Sequence, residues 1–341
     1  MRRTRTSAKL EQLTEEAEKS SRCIVGTTPR DAARLRRAVA AGKLISTFPR
    51  LYVRETYWTN LKRRERSLHI LRGLQFLHPN WVFAGLSAAL AHGLSVTCSM
   101  LTPVCVATSY RAHERNQKGI IRVTVEKDEP VVVNDLQATS LERTLFDCLR
   151  MLDFPHGLAV ADSALRMAGQ TCDWLIAQME SMPRGCKGWS HALATAVWAD
   201  PRAESGGESI ARSRMLLLGY ELPDLQVEVL NKIEGGFYYG DFGWKRPNGS
   251  LLIGELNGRA KYTDLEMTGG KTMAEVMADE RLRESRVSAA GATIMRFSFK
   301  DMMLDEQFRR ILDTYGVPRA SRAYYRDKGE RFAPTLAGAE V

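Results

Sequence analysis

The stretch that most narrows what this chain can become runs from Glu204 to Tyr262. At its centre lie Gly240-Asp241-Phe242-Gly243-Trp244 and the apolar run Leu251-Leu252-Ile253-Gly254-Glu255-Leu256-Asn257-Gly258. Each reads as a strand carrying an acid, and Lys245-Arg246-Pro247-Asn248-Gly249-Ser250 between them holds the turn residues of a hairpin. Antiparallel pairing would bring Asp241 and Glu255 side by side. Asn257, two residues on, would share the face of Glu255. Adjacent carboxylates repel unless a cation sits between them, and a hard divalent metal with oxygen ligands is the usual solution.

Upstream, residues 207–218 read as a helix stopped by Gly219, with Glu208 in its first turn. Downstream, Lys261 follows Glu255 by six positions and would supply the cation that phosphodiester chemistry wants near water or phosphate. A helix spanning about 272–290 and a closing strand over 293–299 complete the order helix, three strands, helix, strand. Gln226 reads as a strand glutamine facing water, with a hydrogen bond into the site as the alternative, and Trp244 as a hydrophobic anchor. Helix acid, strand acid and then a hydrophobic strand with Glu255-x-Asn257-Gly258 and a nearby Lys261 resemble the very-short-patch-repair-like branch of the PD-(D/E)xK nucleases. That resemblance covers roughly residues 204–300. It implies Glu208, Asp241 and Glu255 as ligands of Mg²⁺ or Mn²⁺ in phosphodiester cleavage. Asn257 stands where the superfamily most often has lysine, so either Lys261 replaces that charge or the site is weak or dead.

Neither cysteine nor histidine occurs after His191, so a metal in the last third would have to be held by oxygen. The six cysteines form no CxxC pair or regular framework and read as reduced, half-buried apolar residues. A hydrophobic share of 44% with 26% charged residues belongs to a folded protein of two or three domains. No apolar run approaches a membrane span, and no apolar segment follows the basic start; the expectation is a cytoplasmic protein without a membrane partner.

Charge is distributed unevenly. Residues 1–75 hold 18 of the 49 Lys and Arg but 7 of the 40 Asp and Glu, an excess of +11, while the remainder has 31 basic against 33 acidic residues. An anionic polymer is the natural partner of such a front. Within it Thr28-Pro29 signals a helix start and Gly42 its stop. Ala32, Leu35 and Val39 form an apolar stripe, and Arg30, Arg34 and Arg37 line another face. Strands over 44–48 and 51–54 flank Pro49-Arg50. Helix followed by a two-stranded wing is the layout of a winged helix-turn-helix, with the arginine face for the major groove and Arg50 at the wing. Double-stranded DNA is the expected ligand, with RNA open.

The central residues hold a small-residue helix stopped by Gly93, strands over 102–108, 120–126 and 131–134, a capped helix start at Thr139-Ser140-Leu141-Glu142 and another helix over 157–168. They carry no glycine-rich phosphate loop or nucleophile motif. His92 reads as a helix-end packing histidine. Leu35-Arg36-Arg37-Ala38-Val39-Ala40-Ala41-Gly42-Lys43-Leu44 with Arg50-Leu51-Tyr52-Val53, then Leu86-Ser87-Ala88-Ala89-Leu90-Ala91-His92-Gly93-Leu94, and Ser140-Leu141-Glu142-Arg143-Thr144-Leu145-Phe146-Asp147, are similar to the AbiEi family of type IV antitoxins. The resemblance implies a winged helix that represses its own operon and a second domain that offsets a nucleotidyltransferase toxin.

The expected organisation is an α+β multidomain chain. A basic arm (1–22) precedes a winged helix-turn-helix (23–76), a central α/β scaffold domain (77–185), a linker with a short helix (186–203), a restriction-endonuclease-like α/β domain (204–318) and a mobile tail (319–341). Three functions stay open: a DNA-binding regulator or antitoxin, a Mg²⁺-dependent DNA endonuclease targeted by its winged helix, and a protein-interaction module whose basic front only aids solubility.

Overall fold

The computed structural model describes residues 2–109, 118–246, 248–257, 272–289 and 291–321. It is a mixed α and β chain that divides into two compact units, Met1–Cys148 and Leu149–Val341.

In the first unit, α1 (Arg2–Lys19) lays Leu10, Leu13 and Ala17 against Leu35 and Ala38 of α2 (Pro29–Ala40), together with Ile24 and Leu44. The basic arm, whose Leu10, Leu13 and Ala17 fall at helical spacing, is therefore a helix packed through those residues. Thr28 caps α2 by accepting the Asp31 amide at 3.1 Å, Pro29 fills the first turn where no amide partner is needed, and Gly42 takes a positive φ of 68°. β1 (Ile45–Phe48) and β2 (Leu51–Val53) pair antiparallel, and Ile24 adds a bridge to Tyr52. Arg54 ties this hairpin back to Glu18 and Glu11 of α1. Next come α3 (Glu55–Asn60) and α4 (Arg63–Leu77).

Beyond α4, α5 (Gly85–Ala91) precedes the parallel pair β3 (Val104–Thr108) and β4 (Ile120–Thr124), the hairpin of β5 (Val131–Val133) and β6 (Leu136–Ala138), and α6 (Leu141–Met151). One apolar cluster runs from Cys23, Phe48 and Leu51 through Leu71 and Leu74 to Phe83, Val104, Val106 and Leu136. The β1–β2 hairpin and the central strands thus share a core, because Phe83 bridges to both Val106 and Ala138 while Leu51 and Leu71 close over the same interior. His92 ends α5, its Nε2 donating to the Thr139 carbonyl at 2.8 Å, which is the packing role expected of it.

In the second unit, α7 (Phe154–Ala168) packs along α10 (Gly206–Leu217), with α8 (Cys172–Ser181) and α9 (Trp189–Ala196) beside α7. The division between Cys148 and Leu149 places α7 in the second unit with its partner α10. The stretch expected as a linker contains α9. Strands β7 (Asp224–Leu230), β8 (Phe237–Lys245) and β9 (Leu251–Asn257) form an antiparallel meander; α11 (Met273–Ala289) leads to β10 (Thr293–Ser298), parallel to β9, in the order β10-β9-β8-β7. Helices α12 (Phe299–Met302) and α13 (Asp305–Tyr315) follow. The sequence of helix, three strands, helix and strand is the one expected.

Both sheet faces are covered. Leu225, Phe242, Trp244, Leu252, Met295 and Phe297 meet Ile210 and Met215 of α10 and Phe308 and Leu312 of α13. Val227, Val229 and Ile253 meet Val287 of α11. Gly243 is required where β8 crosses β7, since a Cβ there would lie 2.5 Å from a methyl of Val227. Among the described residues no helix is long and apolar enough to cross a membrane.

Candidate functional site

The β8–β9 register places Phe242 opposite Gly254, which sets Asp241 level with Glu255 one step beyond the last paired residues, as the sequence predicts. The two side chains nevertheless go to different partners. Asp241 is half-buried and its Oδ2 accepts the Leu256 amide at 2.9 Å, so it caps β9 where the ladder to β8 ends. Glu255, 9% exposed, is held by two arginines: Arg283 Nη2 of α11 lies 3.0 Å from Oε1, and Arg296 Nε of β10 lies 3.0 Å from Oε2. The parallel register that puts Arg296 directly beside Glu255 makes that second contact inevitable.

Glu208 sits in the first turn of α10, 7% exposed, where Ser205 is the N-cap. Its carboxylate accepts the Glu204 amide at 2.9 Å and the Ser205 hydroxyl at 2.7 Å. Gln226 Nε2 lies 3.4 Å from the same carboxylate, so Gln226 does not simply face water as expected. It reaches Glu208 from mid-strand with a φ of 53°, a left-handed backbone uncommon for glutamine and one that costs on the order of 1 kcal/mol. Burial pushes the Glu208 carboxyl above its ordinary range, and the charge of Asp241 adds to the rise against the lowering effect of its hydrogen bonds.

The three predicted acids therefore have different immediate partners. Glu208 and Asp241 feel each other, whereas both oxygens of Glu255 are taken by guanidinium groups. Among the described residues no group of three or more His, Cys, Asp or Glu is spaced to hold a metal ion. As arranged, Glu255 gives its two oxygens to the arginines and not to an ion shared with Glu208 and Asp241. Asn257 is exposed at the end of β9, and Lys261 lies outside the described residues. The arginines at 283 and 296 are the residues that sequence reasoning missed. Their signal was present only as unassigned cations on the two elements after β9.

A pH dependence follows from the buried Glu208. Its folded pKa is raised above the unfolded value of about 4.3, so its contribution to stability is fully present below that value and is lost as pH rises through the folded pKa. Denaturant titrations at stepped pH are expected to show wild type losing stability relative to Glu208→Gln as pH climbs through this window. Parallel curves for the two proteins would contradict the assignment.

The basic side chains fall on the first unit. Arg30 and Arg37 are exposed on α2, and Arg50 is exposed at the β1–β2 turn with a φ of 67°. Arg34 differs from them: it is ion-paired to Asp31, with its side chain 20% exposed.

No protein-family model matches the chain, and no solved structure matches it. The chain is similar to two uncharacterised proteins of Mycobacterium tuberculosis, one from strain CDC 1551 / Oshkosh and one from strain H37Rv, each 30% identical over 168 residues. These matches cover 48% of this chain and 56% of each relative, so the chain spans about half the length of the curated relatives it matches.

Proposed function

We propose that this chain is a DNA-binding protein of the transcriptional-regulator or antitoxin type. In this reading its first unit docks a winged helix-turn-helix on duplex DNA, and its second unit keeps a nuclease-like arrangement without cutting. The observation that carries the reading is the placement of Arg30 and Arg37 on the open side of α2, directly ahead of a short hairpin whose turn exposes Arg50. The +11 excess over residues 1–75 supports it, because a dense cationic front neutralises phosphates and releases counterions. The resemblance of the first half adds a nucleotidyltransferase toxin as the proposed protein partner.

Support for a restriction-endonuclease-like second unit comes from the run α10-β7-β8-β9-α11-β10 and its mixed sheet. Support for its inactivity comes from Glu255, whose two arginines take the place of a cation. Titration of a labelled duplex of arbitrary sequence tests the main reading. Non-specific binding with a Kd of roughly 1–100 μM near physiological salt is expected, and no binding in that range contradicts it.

A second reading, a Mg²⁺- or Mn²⁺-dependent endonuclease, is favoured by the pressure of Asp241 on Glu208 and by Gln226 of β7, which reaches Glu208 from a left-handed backbone. Supercoiled plasmid incubated with protein and Mn²⁺ is expected to stay intact. Nicking that disappears in Asp241→Ala would instead establish the endonuclease.

A further inference from the structure

The β5–β6 hairpin bonds to the rest of its unit through β6 alone. The Gln137 carbonyl accepts the Phe83 amide at 2.8 Å, the Thr139 amide donates to the Phe83 carbonyl at 2.9 Å, and the Gln137 amide donates to Gln75 Oε1 at 2.9 Å. Gln137 lies opposite Val132 in the hairpin register. In an antiparallel ladder, a pair that bonds elsewhere alternates with pairs that bond each other, so the Val132 amide and carbonyl point to the outer side of β5. Among the described residues β5 has no strand neighbour on that side. Val132 is 73% exposed and Val131 36%, so an apolar edge stands in water. Asn134 and Asp135, with φ of 49° and 62°, form the tight turn, and Asn134 Nδ2 ties it to the Ala91 carbonyl at 2.6 Å.

The flanks of this edge are acidic. Glu126, Glu129 and Asp135 are exposed beside a single exposed base, Lys127, while Asp128 is spent on the Ser140 amide and hydroxyl. Such a rim repels phosphate, in contrast to the basic front of the same unit. It also disfavours a second copy, because antiparallel pairing of two β5 strands about Val132 would set Glu129 of one against Asp135 of the other at both ends. We infer that the outer edge of β5 takes up an extended segment of a partner protein, apolar at its centre and cationic at its flanks. The segment's main chain bonds the amide and carbonyl of Val132, its apolar side chains cover the exposed valines, and its lysines or arginines meet Glu129 and Asp135. The anchored turn holds the edge in place before the partner arrives, which lowers the cost of ordering on binding.

Peptide binding is measured on the full chain without DNA, so its outcome does not depend on the DNA reading. The probes are the peptide Lys-Thr-Val-Thr-Val-Lys, the same peptide with Glu at both ends, and the Lys-ended peptide N-methylated at every central amide. The Lys-ended peptide is expected to bind with a Kd below about 1 mM and to slow hydrogen exchange at the Val132 amide. It is expected to bind about 10-fold more tightly than the Glu-ended one at low salt. N-methylation is expected to abolish binding, since it deletes the donors that the Val132 carbonyl requires. Glu129→Lys is expected to shift the preference towards the Glu-ended peptide by about 10-fold; a lower folded fraction would weaken both peptides alike, so misfolding does not imitate that shift. No binding of the Lys-ended peptide, equal binding of its N-methylated form, or unchanged exchange at Val132 overturns the inference. A dimer of the chain alone that Val132→Pro dissolves would assign the edge to a second copy and overturn it as well.

Discussion

Asp162→Ala is expected to destabilise the second unit by about 3–5 kcal/mol, the range found when one partner of a buried ion pair is removed. Asp162 on α7 is fully buried, and Arg212 on α10 is 3% exposed. Arg212 Nη2 lies 2.9 Å from Asp162 Oδ2 and donates at 2.9 Å to the Trp198 carbonyl, while the Asp200 amide donates to Asp162 Oδ1 at 2.7 Å. One carboxylate thus joins the two long helices and the loop between α9 and α10. Removing it strands a guanidinium and an amide away from water. Urea melts of the chain read the effect directly, and a loss under about 1 kcal/mol would contradict it. Replacing both residues, as Asp162→Leu/Arg212→Met, is expected to recover much of the loss, since an apolar pair of similar volume leaves no orphaned charge. The pair also holds α10, the helix whose first turn presents Glu208.

Arg30→Gln combined with Arg37→Gln is expected to weaken duplex binding on the order of 10- to 100-fold near 100 mM salt, with little change in melting temperature. Both side chains are exposed, so their removal uncovers no core. Arg34→Gln provides the contrast. Its guanidinium is bound to Asp31 within α2 and is mostly covered, so little of its charge is offered to DNA and a several-fold smaller loss is expected. Equal losses from Arg34→Gln and from the pair would mean that general charge, not the geometry of the helix face, governs binding.

Much of this architecture is legible in local sequence. Thr28-Pro29 and Gly42 bracket α2, Gly219 closes the turn after α10, and Gly291 lies between α11 and β10, because caps and stops act within a few residues. The β8–β9 register was also readable, since the turn residues and the alternation of Phe242, Trp244, Leu252 and Gly254 allow one pairing.

What local pattern does not contain is the choice of partner for a charged side chain. Glu255 meets Arg283 and Arg296 because α11 and β10 fold back beside β9, a contact 41 residues away for Arg296. Asp241 turns to an amide freed where the ladder ends, and Gln226 adopts a backbone that its residue type does not announce. Strand β6, Leu-Gln-Ala, is too short for a periodic signal and exists because β5 pairs with it. The shared core of the β1–β2 hairpin and the central strands is likewise a long-range product of Leu51, Leu71 and Phe83.

The most direct measurement of the central claim is the salt dependence of duplex binding by the unmodified chain. Anchoring by Arg30, Arg37 and Arg50 predicts that log K falls linearly with log salt at a slope of roughly −3 or steeper, about −0.9 for each phosphate neutralised. A flat line, or no duplex binding at the lowest salt, would mean that the basic front does not dock on duplex DNA and would contradict the proposed function.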